Sequence, residues 1–155
     1  MICWQYYEQF GSGLDEAKIF KYSLVHDLVE IYAGDVNTYA DEAALQQKVI
    51  NEAAALERLT QEFAHFPDLV EHLHGYEAKI DEESRFVWLC DKIQALTHGE
   101  LDNWRAHLEI GITRQMLSDK LDHFAKQTPL VLREEFARLS RHWIRIYPDI
   151  LPERP

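Results

Sequence analysis

The chemistry of this chain is concentrated between Ile19 and Tyr32, which reads Ile-Phe-Lys-Tyr-Ser-Leu-Val-His-Asp-Leu-Val-Glu-Ile-Tyr. At about 100° per residue, Ser23, His26, Asp27 and Glu30 fall within about a 100° sector of a helix. Leu24, Val25, Leu28, Val29 and Ile31 point in several other directions. A helix that is apolar over most of its circumference is expected to be buried. A polar strip on such a helix is costly unless its groups satisfy each other or bind something. Imidazole nitrogen and carboxylate oxygen both ligate divalent cations. Adjacent His26 and Asp27 can reach one ion lying along the edge between them. Glu30 stands one turn on, four residues from His26 and three from Asp27, where it can take a proton from an activated water. The same residues also fit a hydrogen-bonded polar pair followed by a helix-end acid, and the strip alone leaves both readings open.

A second acid has similar surroundings. Asp91 lies within Phe86-Val87-Trp88-Leu89-Cys90-Asp91-Lys92-Ile93, on the flank of an apolar stripe. Asp in mid-helix is unfavourable by propensity, and more so when buried. It is a candidate third ligand, or a partner for Lys92. Glu52 interrupts an apolar stripe and is a candidate outer acceptor near the site, or a flank residue reaching solvent. Lys92 and Arg85 are candidate phosphate partners. His65, His72 and His74 read as surface residues, because positions two apart do not share a helix face. The four tryptophans, Trp4, Trp88, Trp104 and Trp143, suit core or interface packing better than a cofactor box. There is no Gly-rich phosphate loop and no Cys-based zinc motif.

The elements that must position these groups are helices. The interior is rich in Ala, Leu, Glu and Gln and lacks runs of alternating β-branched residues. The pattern predicts helices over about 1–10, 14–32, 41–66, 67 to 72 or 74, 82–97, 113–126 and 130–146. A weakly patterned loop is expected around 99–111, and an extended tail over 148–155. The expected inward stripes are Leu45, Val49, Leu56, Leu59 and Phe63 on the third helix, and Phe86, Leu89, Cys90, Ile93 and Leu96 on the fifth. Leu132, Phe136, Leu139, Trp143 and Ile146 on the last helix pack inward or against a partner.

With 155 residues the chain makes one domain, expected over 1–147, with a sizeable core. Twenty-seven acids against 16 Lys and Arg give a formal charge of −11. That argues against general binding to nucleic acid polymers or anionic membranes, which needs a basic face. A small phosphate ester remains compatible, provided a cation reverses the field locally. Two cysteines, Cys3 and Cys90, read as buried free thiols, which suits the cytoplasm. No apolar run reaches the length of a membrane span.

The stretch Leu24-Val25-His26-Asp27-Leu28-Val29-Glu30-Ile31-Tyr32-Ala33-Gly34-Asp35 resembles the signature of HD-domain metal-dependent phosphohydrolases, and is closest to their 5'-deoxynucleotidase branch. Downstream, Gly75-Tyr76-Glu77, Glu83-Ser84-Arg85-Phe86-Val87 and Cys90-Asp91-Lys92-Ile93 resemble the second signature of that branch. The resemblance implies an all-α HD-domain helical bundle of about six to seven helices, often dimeric. It implies a divalent metal: a transition metal such as Co, Mn, Zn or Fe, or else Mg. His26, Asp27 and Asp91 would be its ligands. Glu30 would help activate the attacking water, and Asp35 would position the water or the leaving group. The implied reaction is hydrolysis of a (deoxy)nucleoside 5'-monophosphate to nucleoside and phosphate, by a homodimer.

One position departs from that pattern. The family places its first metal-ligating His on the preceding helix, and none of the 25 residues before His26 is His. The stripe Ile2, Tyr6 and Phe10 also begins without a capping residue ahead of it. Together these lead to the expectation that the chain starts inside that first helix and lacks part of it. A substitute ligand is a second account. A site that has lost its metal is a third, and leads to the alternative of a catalytically impaired scaffold for nucleotide binding or oligomerisation.

Overall fold

The computed structural model describes residues 1–148. From residue 149 on, the expected extended tail lies outside the described residues. Every described element is helical: α1 Ile2–Phe10, α2 Glu16–Val25, α3 Glu30–Ala33, α4 Glu42–Glu62, α5 Pro67–Ala78, α6 Glu82–Leu101, α7 Arg105–Glu109, α8 Arg114–Ala125, a 3-10 turn at Leu130–Leu132, and α9 Arg133–Ile146. The all-α class follows directly. Among the described residues no helix is long and apolar enough to cross a membrane.

The chain divides into two compact units, with the boundary inside α6. One unit runs from Asp15 to Val87. Two of its helices, α2 and α4, start where short acids satisfy the first free amides. Asp15 accepts from the Lys18 amide at 3.1 Å, and Asp41 from the Ala44 amide at 2.8 Å. Within it α2 packs on α5, α3 on α4, and α4 on α5. Ile19, Tyr22, Val25, Val29, Leu59, Leu73 and Phe86 are buried. Gly75 permits the α2–α5 contact: a Cβ there would lie 2.6 Å from the Tyr22 hydroxyl oxygen. That hydroxyl donates to Asp81 at 2.9 Å, and Asp81 also meets Lys18 at 2.6 Å.

The other unit joins Met1–Leu14 to the chain from Trp88 onward. α8 starts at Thr113, whose hydroxyl accepts from the Met116 amide at 3.2 Å, and packs against α9. Its interior is almost wholly apolar, with Leu89, Ile93, Trp104, Leu117, Phe136 and Trp143 all buried. The few polar tips find partners, as buried donors must. Trp143 Nε1 donates to Glu100 at 3.1 Å, and the Tyr147 hydroxyl to the Ile112 carbonyl at 2.6 Å. Cys3 and Cys90 are both free. Met1 supplies no side-chain cap to α1.

Several sequence expectations change. The single helix over 14–32 is broken into α2 and α3, and it is not buried all round: Leu24 is 78% and Ile31 64% exposed. On α4 the inner face passes through Lys48, Glu52, Ala55 and Leu59, and Val49 is exposed. α5 continues past both histidines to Ala78, because Gly75 serves packing there rather than ending the helix. The 99–111 segment contains α7. The inward stripe of α6 is as expected: Phe86, Leu89, Cys90, Ile93 and Leu96 are all buried.

Candidate functional site

The break between α2 and α3 falls on the His-Asp pair. Regular helix ends at Val25, and the next residues tighten into three-residue spacing: the Leu28 amide donates to the Val25 carbonyl at 3.0 Å, and the Glu30 amide to the Asp27 carbonyl at 3.1 Å. His26 Nδ1 lies 2.9 Å from the Ser23 carbonyl oxygen. In a continuing α-helix that carbonyl would serve the Asp27 amide. A local side-chain bond thus competes with the helix at this point, as such bonds do. Tyr76 on α5 sets its ring edge-on to the imidazole, with centroids 6.1 Å apart.

This arrangement sets which ring nitrogen faces Asp27. A carbonyl only accepts, so Nδ1 carries a proton. Nε2 then faces Asp27 Oδ2 at 3.0 Å. A 3.0 Å separation is that of a hydrogen bond, and the same two atoms are types that ligate a divalent cation. A ring nitrogen anchored on a backbone carbonyl is also the usual support of a ligating histidine. The His26 side chain is 27% exposed and Asp27 62%, so the pair is open to solvent on one side.

Glu30 begins α3 and is half-buried. Glu77 on α5 is the member of the region that the residue-by-residue reading missed; it entered only within a resembling tripeptide. Burial pushes its carboxyl above the ordinary range, and the Glu52 and Glu30 carboxylates push the same way against Lys79 and Lys48. Glu30, Glu52 and Glu77 therefore act on one neighbourhood, and Glu52 takes part in it while paired with Lys48 at 3.5 Å. The visible signal was that Lys48, Glu52 and Ala55 follow helical spacing onto one face. Gly34 ends α3 at φ 75°, ψ 162°, a conformation essentially restricted to glycine, and delivers Asp35 to an exposed position.

Asp91 belongs to the other unit, on α6, where Lys92 Nζ donates to its Oδ2 at 2.7 Å. Among the described residues, no three His, Cys, Asp or Glu side chains are gathered so as to hold a metal ion. The His26–Asp27 pair is the part of the expected ligand set that lies together within one unit. Arg85 is engaged by Glu82 and the Lys79 carbonyl, and so is not a free phosphate partner. His72 is not a surface residue: its side chain is 12% exposed, bonded to the Asp68 carbonyl at 2.7 Å and packed on Tyr22. His74 meets the Thr60 hydroxyl at 2.8 Å.

Among known proteins, the family described as HD domain matches residues 1–129, well over half of the chain. No curated protein and no solved structure matches it.

Proposed function

Because the chain belongs to the HD domain family, whose members are in general metal-dependent phosphohydrolases that bind divalent ions, we propose that it hydrolyses a (deoxy)nucleoside 5'-monophosphate to nucleoside and phosphate. The observation that carries the reading is the His26–Asp27 pair, held 3.0 Å apart with Nδ1 spent on a carbonyl. A bound divalent ion, of a transition metal or magnesium, supplies Lewis acidity toward a phosphoryl oxygen and makes water nucleophilic near neutral pH. His26 Nε2 and Asp27 Oδ2 would be two of its ligands. Glu30 receives the proton of the attacking water. Asp35 orients that water or the leaving oxygen. The acidic balance of the chain, −11, supports a small substrate rather than a polymer or a membrane surface. The free thiols support a reducing, cytoplasmic setting. In this reading the chain works as a homodimer.

The Lys92 contact on Asp91 favours a second reading, an HD scaffold with impaired catalysis. Assay of the manganese- or cobalt-loaded chain against a panel of nucleoside monophosphates separates the two. Phosphate release that Asp27→Asn abolishes is the expected result. Bound metal with no release from any substrate establishes the scaffold instead.

A further inference from the structure

The groove between α8 and α9 takes no part in the chemistry above. It is a cavity of about 340 Å³, within the ordinary range of small-molecule sites, about 300–1,000 Å³. It exists because Ala125 and Ala137, both exposed, face it with short side chains that leave space between the two helices. Leu121, Phe136 and Ile144 complete an apolar floor. The Thr128 hydroxyl, also in the lining, is spent on the Phe124 carbonyl at 3.0 Å.

Two cations border that floor. Arg133 and Arg141 are eight residues apart on α9, about 12 Å along its axis, with Ala137 midway on the same face. Among the described residues neither guanidinium has a hydrogen-bonding or ionic partner. Other arginines of α9 do: Arg138 makes two bonds to Glu135, at 2.7 and 2.6 Å, and Arg145 meets His142 at 3.3 Å. Arg133 also stands in the first turn of α9, where the helix dipole disfavours a cation, so helix stability does not account for it. Asp122 is the acid of the lining and leaves the two guanidiniums in excess. In a chain with 27 acids against 16 Lys and Arg, a site with this sign is a local reversal.

We propose that the α8–α9 groove binds a small anionic amphiphile, a monocarboxylate with an unbranched alkyl chain of medium length. The alkyl chain lies on the floor across Ala125, Phe136 and Ala137, and the carboxylate meets a bordering guanidinium, the geometry arginine favours. Few donors besides the arginines face the groove, so it has little with which to read a nucleobase or a sugar.

Calorimetric titration of the full chain with monomeric octanoate tests this, with octanol as the neutral control. One saturable site per chain is expected. Ala137→Leu, which fills the floor, should weaken both ligands at least about tenfold, while Arg133→Gln with Arg141→Gln should weaken octanoate alone by about that factor. Transferred proton contacts between octanoate and the Phe136 ring give a readout that needs no variant. No saturation at millimolar octanoate overturns the proposal. So does affinity unchanged in both variants, or association with anionic lipid vesicles without binding of monomeric octanoate.

Discussion

Both units have apolar cores, and they differ in the half-buried groups around them. In the Asp15–Val87 unit the packed faces carry charge: Lys48 and Glu52 on the inner face of α4, Glu77 pressed by two other carboxylates, and Asp81 gathered by Lys18 and Tyr22. In the unit from Trp88 onward the interior is aromatic and aliphatic, and its polar tips meet single partners such as Glu100 and the Ile112 carbonyl. The first arrangement adds little to stability, because the partial desolvation of charge offsets the gain from pairing. It is a good way to hold charges in fixed positions for chemistry. The contrast separates a part whose substitutions should alter turnover from a part whose substitutions should alter stability.

The largest expected effect lies on the charged side. Glu30→Gln should lower kcat by about 10²–10⁴-fold, the ordinary worth of a positioned proton acceptor. The melting temperature should stay close to that of the parent; a matching loss of stability would erase the distinction between the units. Next comes the apolar side. Leu117→Ala, at a fully buried position of α8, should cost about 2–5 kcal/mol in denaturant unfolding while leaving KM unchanged in the folded fraction.

Smaller effects sharpen the boundary. Gly75→Ala drives a Cβ into the Tyr22 hydroxyl and should destabilise by about 1–3 kcal/mol. Adding Tyr22→Phe removes the oxygen that is struck, so a double-mutant cycle should recover part of that loss. Strict additivity would show that the close approach is unimportant. The smallest effect is a pH dependence. Glu77 has its folded pKa raised above its unfolded value by burial, then by Glu52 and Glu30. The folded state then holds the proton more tightly, so its contribution is fully present below the unfolded pKa and is lost as pH rises through the folded one. Glu77→Gln should accordingly stabilise the protein at neutral pH and flatten its stability profile over that window. A variant less stable at neutral pH would reverse the sign argued here.

How much of this was legible beforehand follows from which interactions leave a trace in spacing. The inward stripe of α6 was readable because Phe86, Leu89, Ile93 and Leu96 repeat at helical intervals and nothing polar competes with them. The break after Val25 was not, since hydrophobic period does not register a bond from His26 Nδ1 to the Ser23 carbonyl. Val49 misled for a related reason. It continues an apolar series, yet the inner face of α4 turns through Lys48 and Glu52 toward the acids of α3 and α5. His72 read as surface because it and His74, two apart, do not share a helix face, whereas Tyr22, fifty residues away, packs against it. At the candidate site the residue types and their order were evident from the sequence. The direction of each donor was not, and it is the direction of Nδ1 that leaves Nε2 facing Asp27.

That the His26–Asp27 pair holds a divalent ion is the central claim, and cobalt titration followed by its visible absorption tests it most directly. The parent chain should bind one ion with the spectrum of mixed nitrogen and oxygen ligation. His26→Gln and Asp27→Asn should each abolish the signal and phosphate release together, with helix content unchanged. Cobalt bound equally well by Asp27→Asn, or not bound by the folded parent at all, would contradict the account.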